Sequence, residues 1–310
     1  MHLRVISPSE TTEEVLSYLV AEPAVANLVV HRGAAVDPAG DVVIADVARE
    51  SANEVLRELK AKGLDKNGSI ALDAVGVALS SRGSEAEKAA PGAGDDAVVW
   101  EEIEQRTGEE SRLSVTFLLF LSIATVIAGI GVLLDQPILI VGAMVVGPEF
   151  GPLAALSVGV IRRRPRVIGR SLLALTVGFA VAIVVTVLST LALNAGGLVT
   201  REMLLGARPL TDFIWRPDAL SWVIAFLAGI AGILSLTTAK SGALIGVLIS
   251  VTTVPAAGNV AVAIAYGVPD EAWGSALQLG INLGAIATAG ILTLAVQRWL
   301  SRRRRPAARA

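Results

Sequence analysis

The spacing of apolar residues changes near residue 112. Before that point, short apolar segments alternate with polar turns, at lengths typical of strands and small helices. After it, six apolar stretches follow one another, each close to the roughly 20 residues that an α-helix needs to cross a bilayer. The pattern predicts a small N-terminal domain outside the membrane and a C-terminal bundle of six transmembrane helices.

The first 79 residues predict the element order β-α-β-β-α-β. Ser9 and Ser51 mark the two helix starts, and Glu54 stands three residues after Ser51, in capping-box spacing. This order, at this length, is typical of an α+β ferredoxin-like domain with a four-stranded antiparallel sheet. The predicted strands are 3–6, 25–31, 42–47 and 70–79, and the predicted helices are 10–21 and 51–61.

Two segments connect this domain to the apolar region. Residues 80–97 are small, polar and rich in turn formers, so they predict a flexible linker. Residues 98–110 predict an acidic amphipathic helix with Trp100 and Ile103 on one side. Two interpretations of that side stay open: it packs on the sheet or on a partner copy, or it lies in the membrane interface.

The transmembrane domain is predicted within residues 111–300, and a basic tail follows at 301–310. The second span is interrupted by the segment 147–152, Gly-Pro-Glu-Phe-Gly-Pro. Since Pro removes a helix hydrogen bond and Gly adds backbone freedom, we predict two half-helices there. At membrane depth such a break needs protein or water around it, which predicts a site. The predicted spans are 113–134, 138–161, 171–193, 219–238, 241–266 and 273–300.

A shift of 107 residues aligns the two halves of the apolar region. It carries Leu113 onto Leu220, and the Pro-x-x-Gly at 148–151 onto the Pro-x-x-Gly at 255–258. Three spans then match three, and because three is odd the second half enters from the opposite side. Paired breaks in inverted repeats are typical of transporter sites near the bilayer midplane. We therefore predict a 3+3 inverted repeat with two broken helices, spans two and five.

Glu149 is the only acidic residue well inside a predicted span. An acid at the membrane centre costs roughly 3 kcal/mol on insertion scales, so its side chain is expected to face protein or water. Two roles stay open: Glu149 couples a proton or cation to transport, or it caps the second half-helix.

Polar residues of the second half complete the candidate site. Asn259 lies at the second break, and Gln278 and Asn282 are four residues apart on one helical face. They bind an ion or polar solute together with Glu149, or they form hydrogen bonds between helices, and the sequence allows both. The predicted substrate- or ion-binding residues are Pro148, Glu149, Gly151, Thr253, Pro255, Asn259, Gln278 and Asn282.

Composition and charge support a membrane protein and orient it. Hydrophobic residues make up 53% of the chain, and the mean hydropathy is +0.65. Residues 1–112 hold 11 Lys and Arg against 21 Asp and Glu, whereas the remainder holds 15 against 7. Twelve basic residues follow spans two, four and six, so the positive-inside rule places that side and both termini in the cytoplasm. Arginines expected to contact lipid head groups are Arg162, Arg163, Arg164, Arg302, Arg303, Arg304 and Arg305.

Several kinds of chemistry find no support in the sequence. There is no Cys, and the two histidines, His2 and His31, have no neighbouring ligand spacing. Neither a phosphate-binding GxxxxGK[ST] motif nor a dinucleotide-binding fingerprint occurs. We therefore expect no enzyme activity, no metal, no cofactor and no nucleic-acid partner.

One run of residues is similar to a known family. The run PILIVGAMVVGPEFGPLAALSVGV is followed by an Arg-rich loop, and QLGIN stands near the start of the last span. Together they resemble the bacterial membrane proteins of domain-of-unknown-function family 389, over about Leu113 to Leu300. The resemblance implies a bacterial plasma (inner) membrane protein with a cytoplasmic N-terminal domain, and it implies no activity.

Two functions stay open at this point. The first is an inverted-repeat transporter or channel-like protein for an ion or small polar solute, whose cytoplasmic domain regulates it or joins copies into a homo-oligomer. The second is a non-transporting sensor or scaffold, whose cytoplasmic domain binds a ligand or partner. A polar cavity that reaches both breaks favours the first, and breaks sealed by apolar packing favour the second.

Overall fold

The computed structural model describes residues 1–75, 79–90, 98–238 and 252–303 of the chain. These residues belong to two compact units. Unit 1 comprises Met1–Glu102 and Trp299–Ala310, and unit 2 comprises Ile103–Arg298.

Unit 1 contains a four-stranded antiparallel sheet in the order β2-β3-β1-β4. Its strands and helices follow the predicted order, with a longer hairpin and a shorter last strand. Alternate residues of β1 and β3 face the helices, as the two-residue period of a strand requires. The strands are β1 (His2–Ser7), β2 (Val25–Val36), β3 (Ala39–Val47) and β4 (Ser69–Asp73), and the helices are α1 (Ser9–Ala21), α2 (Ala52–Ala61) and α3 (Leu64–Asn67).

The capping box predicted at Ser51 does not form. A 3₁₀ turn, Arg49–Ser51, leads into α2, so Ser51 has helical dihedral angles (φ −94°, ψ −4°) and its side chain makes no capping hydrogen bond. A capping side chain requires an extended backbone at that position, and the preceding turn removes it.

A helix replaces part of the predicted flexible linker. Residues Ser81–Ala89 form α4, whose first turn is capped where Gly83 N–H donates to Ser80 Oγ at 3.1 Å. Ala86 and Ala90 pack against Ala24 and Ala48 in a small buried cluster. Residues 91–97, the rest of the predicted linker, lie outside the described residues.

A buried carboxylate holds the β2–β3 hairpin. Asp41 accepts hydrogen bonds from the Gly33 backbone N–H at 2.7 Å and from Arg32 Nη1 at 3.1 Å. The backbone donor first, then the Thr12 hydroxyl and the guanidinium, lower the pKa of the Asp41 carboxyl. The carboxyl therefore stays ionised at neutral pH, and its contribution to stability is lost only as pH falls through its lowered pKa.

The helix predicted at 98–110 begins on unit 1. Helix α5 (Trp100–Glu110) starts where Trp100 N–H donates to Asn53 Oδ1 at 3.1 Å, while Asn53 Nδ2 donates to Val98 O at 2.6 Å. Val99 is buried against Ala52 and Leu56 of α2. The first turn thus packs on the domain, as the first of the two interpretations expects.

Unit 2 is helical and apolar. Four of the described helices are long and apolar enough to cross a membrane, and a pair bent by 50° counts as a fifth. The fifth predicted span is described only from residue 252, because residues 239–251 lie outside the described part, so six spans stay a prediction. The helices are α6 (Val115–Leu133), α7 (Pro137–Val146), α8 (Phe150–Arg162), α9 (Pro165–Ala195), α10 (Arg201–Leu205), α11 (Ala219–Thr237), α12 (Thr253–Ala265) and α13 (Pro269–Arg303).

The helix starts of unit 2 recur at a spacing that differs from the predicted 107 residues. Helices α6 and α11 start at Val115 and Ala219, and α9 and α13 start at Pro165 and Pro269, which is 104 residues in both cases. Helices α8 and α12 start 103 residues apart and both have 13 residues. The matched Pro-x-x-Gly motifs misled the alignment, because Pro148 precedes α8 whereas Pro255 is the third residue of α12.

Local backbone details follow the same spacing. Helix α6 is capped by Ser114 and α11 by Asp218, each accepting a hydrogen bond from the N–H three residues later. After α8 the N–H of Arg164 donates to Gly159 O at 2.8 Å, and after α12 the N–H of Val268 donates to Ala263 O at 2.8 Å. Both turns have a left-handed residue and then a Pro that opens the next helix, so the same C-terminal turn occurs twice.

Candidate functional site

The predicted break lies between α7 and α8. Helix α7 ends at Gly147, whose extended dihedral angles (φ −65°, ψ 126°) turn the chain, and Pro148 has no N–H to continue the helix. The two half-helices meet at 50°. The sequence therefore bends where the Gly-Pro pair stands, and Glu149 follows directly.

Glu149 reaches across to the other half of unit 2. It occupies the N-cap position of α8, yet its side chain makes no capping hydrogen bond. Instead its Oε1 accepts a hydrogen bond from the Thr253 hydroxyl at 2.6 Å, and both residues are buried. Of the two roles that the sequence left open, side-chain capping is excluded. The Leu153 amide, predicted to point at Glu149, donates to the backbone oxygen of Glu149 at 3.3 Å.

Gly147 makes room for the second carboxylate oxygen. A Cβ at this position would collide with Oε2 of Glu149 and would come within 2.7 Å of Val254 Cγ2. Oε2 itself has no hydrogen-bond partner within the described residues. The break therefore encloses a carboxylate that is only half satisfied.

Helix α12 supplies the opposite wall of the site. Every residue from Thr253 to Ala263 is buried, so the helix runs through the middle of unit 2. Thr253 opens it, and Pro255 is its third residue. Pro148, Gly151 and Pro255 thus shape the two half-helices, whereas Glu149 and Thr253 provide the polar contact between them.

The other predicted ligands form separate contacts. Gln278 Nε2 and Asn282 Nδ2 point at the Thr252 hydroxyl, at 3.5 Å and 2.8 Å. Asn259 lies further along α12, where its Nδ2 donates to Glu271 Oε1 at 3.0 Å and to Ser275 Oγ at 2.7 Å. The expectation that these amides join Glu149 in one coordination shell is therefore wrong, since Thr252 and Asn259 hold them instead.

A cavity of about 240 Å³ adjoins the Thr252 group. Its walls come mainly from α7, α11 and the connection before α11, and its polar residues are Ser221, Thr252 and Asn282. Neither Glu149 nor Thr253 belongs to its lining. The cavity thus reaches the second break and stops short of the carboxylate.

Sequence reasoning missed a buried ion pair. Arg208 Nη2 donates to Glu271 Oε1, and the two side chains are only 5% and 6% exposed. Glu271 extends the polar face of α13, because Glu271, Ser275, Gln278 and Asn282 follow one another at spacings of four, three and four. That spacing was a usable signal for Glu271, whereas nothing in the sequence marks Arg208 in its connecting segment.

The predicted head-group arginines differ among themselves. Arg162 forms an ion pair with Glu104, and Arg164, which is 59% exposed, lies 3.7 Å from the same carboxylate. Arg163 has a left-handed backbone at the end of α8. The side chains of Arg302 and Arg303, and all of Arg304 and Arg305, lie outside the described residues.

Comparison with known proteins places the site in a family. The family model described as Domain of unknown function (DUF389) matches residues 144–288, which include the break and the polar face of α13. An uncharacterized protein of Methanocaldococcus jannaschii is 26% identical over 207 residues, 65% of this chain and 62% of that protein. No solved structure matches the chain. The resemblance expected from the sequence is confirmed over this central segment, and the matches carry no activity.

Gly147→Ala tests the enclosure of the carboxylate. The added methyl group collides with Glu149 and Val254, and overpacking of this kind costs about 1–3 kcal/mol, so the thermal unfolding midpoint in detergent should fall. Gly142→Ala is the matched control on α7, since its added Cβ meets nothing within 4 Å and the helix gains about 1 kcal/mol of propensity. Equal midpoints for the two variants would contradict the described packing.

Arg208→Ala tests the buried ion pair. It leaves Glu271 buried without its cation, which costs about 3–5 kcal/mol and should lower the unfolding midpoint by about 10 °C. Arg216→Ala on the same connection removes a pair to Asp212 whose arginine is 63% exposed, so the expected loss is about 1 kcal/mol or less. Calorimetry or differential scanning fluorimetry of the purified variants measures both, and similar losses would argue against a buried pair.

Proposed function

We propose that this protein is an inverted-repeat membrane transporter or channel-like protein for an ion or small polar solute. The contact between Glu149 and Thr253 carries the proposal, because it joins a carboxylate at one helix break to the first residue of the half-helix in the other half. Ionisable groups at membrane depth are costly and typically mark ion or substrate pathways. Glu149 would serve as the ion or proton partner.

An inverted repeat is supported by contacts that recur at a spacing of 104 residues. A Cβ on Gly129 would approach Thr186 Cγ2 at 3.2 Å, and a Cβ on Gly290 would approach Ile233 Cγ1 at 3.2 Å. These are the same two positions in the two halves, with the small residue exchanged between them. We propose six spans arranged as three plus three, with residues 239–251 completing the fifth.

The proposal extends to orientation and to the N-terminal domain. The Arg-rich side and both termini would be cytoplasmic, in a bacterial plasma membrane, by the positive-inside rule. We assign unit 1 a ferredoxin-like fold, for which the strand order and the three antiparallel pairings are the support. It would regulate the transmembrane domain or join copies into a homo-oligomer. Open space around Gly280 and Gly284 of α13 is consistent with a second copy packing there.

A non-transporting sensor or scaffold is the second candidate. One observation favours it: Glu149 is 5% exposed and does not line the cavity that reaches Thr252 and Asn282. Sealed breaks suit an anchor, and they also suit a transporter whose site is closed on both sides. Flux measurements separate the two.

Reconstitution tests the proposal directly. Liposomes containing the full chain should pass at least one solute from a panel of cation, anion and proton gradients faster than empty liposomes. Glu149→Gln should lower that flux by about tenfold or more, the factor given by about 1.4 kcal/mol of lost stabilisation. Glu202→Gln, an exposed carboxylate on another segment, is the control and should leave the flux unchanged. Fluxes equal to those of empty liposomes for every gradient would favour the scaffold.

Cysteine labelling tests the orientation. The chain has no Cys, so a single Cys at Arg164 or at Thr200, both exposed, reports one side each. In intact cells an impermeant maleimide should label the Thr200 position and reach the Arg164 position only after permeabilisation. The reverse pattern would overturn the orientation.

A further inference from the structure

Two helix N-termini converge on Glu149. Helix α8 starts at Phe150, the next residue, and α12 starts at Thr253, whose hydroxyl donates to the carboxylate. The first N–H groups of a helix have no partner within it, and the helix dipole places partial positive charge there. The carboxylate therefore lies between two ends that favour negative charge.

Neither helix start is satisfied by a capping side chain. Both N-cap residues, Glu149 and Thr252, lack a side-chain capping hydrogen bond. The third residue of each helix is Pro, Pro152 and Pro255, which has no N–H. The donors that remain at each start are those of the first two residues, and they are arranged alike in the two halves.

The carboxylate has no cationic partner there. Glu149 takes part in none of the ion pairs formed by the described residues, and its Oε2, buried with the rest of the side chain, has no hydrogen-bond partner among them. Gly147 leaves the space that this oxygen occupies, and Val254, the second residue of α12, closes that space. The surroundings thus fit a small, compact negative group better than a metal cation, which needs several oxygen ligands.

The contact also has a special position in the repeat. Glu149 and Thr253 are 104 residues apart, the spacing that relates the two halves. If a two-fold axis exchanges the halves, each of these residues occupies the other's place, so a hydrogen bond between them lies on the axis. The carboxylate is therefore shared by both halves although only one half supplies it.

We propose that the space between the starts of α8 and α12 is a site for a small monovalent anion of the formate or nitrate type, and that the Glu149 carboxylate occupies it as a tethered anion. The proposal deepens the proposed function, on which its transport role rests, by naming the class of ion. An external anion enters when the tethered carboxylate is absent or has left the space.

Two variants test this with equilibrium stability as the readout. Glu149→Thr removes the tethered anion and leaves Thr on both sides of the axis. The exchange variant Glu149→Thr with Thr253→Glu supplies the carboxylate from the other helix. Unfolding midpoints of the wild type and both variants, as full chains in detergent, are compared in sodium formate and in sodium gluconate of equal ionic strength.

The expected result is specific to the single variant. Formate should raise the midpoint of Glu149→Thr over gluconate by about 3 °C once its concentration is tenfold above the dissociation constant, with saturation. The wild type and the exchange variant should not distinguish the two salts. The wild type also controls for formate binding at Arg208, which it retains.

Three outcomes would overturn the proposal. They are a single variant indifferent to formate, equal formate effects in all three proteins, and an exchange variant that does not regain the wild-type midpoint. If the single variant does not fold in gluconate, recovery of folded protein in formate supports the proposal and failure to recover it counts against it. Because no flux is measured, these results are independent of the liposome test.

Discussion

A helix broken inside an apolar bundle leaves backbone groups that only other protein segments can cover, and the arrangement of unit 2 depends on that requirement. Helix α12 provides the cover, buried from Thr253 to Ala263. It lies close to α6 because Gly258 has no side chain: a Cβ there would lie 2.8 Å from the Gly129 nitrogen and 2.9 Å from the Thr125 oxygen. The position of the Thr253 hydroxyl opposite Glu149 follows from this backbone contact, so one glycine in α6 and one in α12 position the site.

The helices could be predicted from hydropathy, and their pairing could not be predicted from motifs. Each described long helix of unit 2 falls on a predicted apolar stretch, because length and apolarity are properties of the segment itself. The predicted repeat spacing was three residues too long, since it matched Pro148 with Pro255 by residue type. Helix starts, caps and turns align the halves instead, and they depend on backbone geometry that a residue match does not contain.

The candidate site was predicted in part. Glu149 was identified because an acid in an apolar span is unusual, and Thr253 because it adjoins the second break. The grouping of Asn259, Gln278 and Asn282 around Glu149 failed because it assumed that polar residues near two breaks share one centre. Six residues separate Thr253 from Asn259, about 9 Å along a helix, so they serve different neighbours. The ion pair of Arg208 with Glu271 needed the folded connection between α10 and α11 to become visible.

The two left-handed turns show that the halves answer to different demands. The turn after α12 has Gly267, which adopts φ +68° freely, whereas the turn after α8 has Arg163 at φ 55°. A residue with a side chain costs roughly 1–2 kcal/mol in this conformation. The more stable choice at residue 163 would therefore be glycine, and the chain has a positive charge there instead. Charges beside a span act while the polypeptide is being inserted, before any fold exists, so membrane insertion sets the residue at this turn and folding tolerates it.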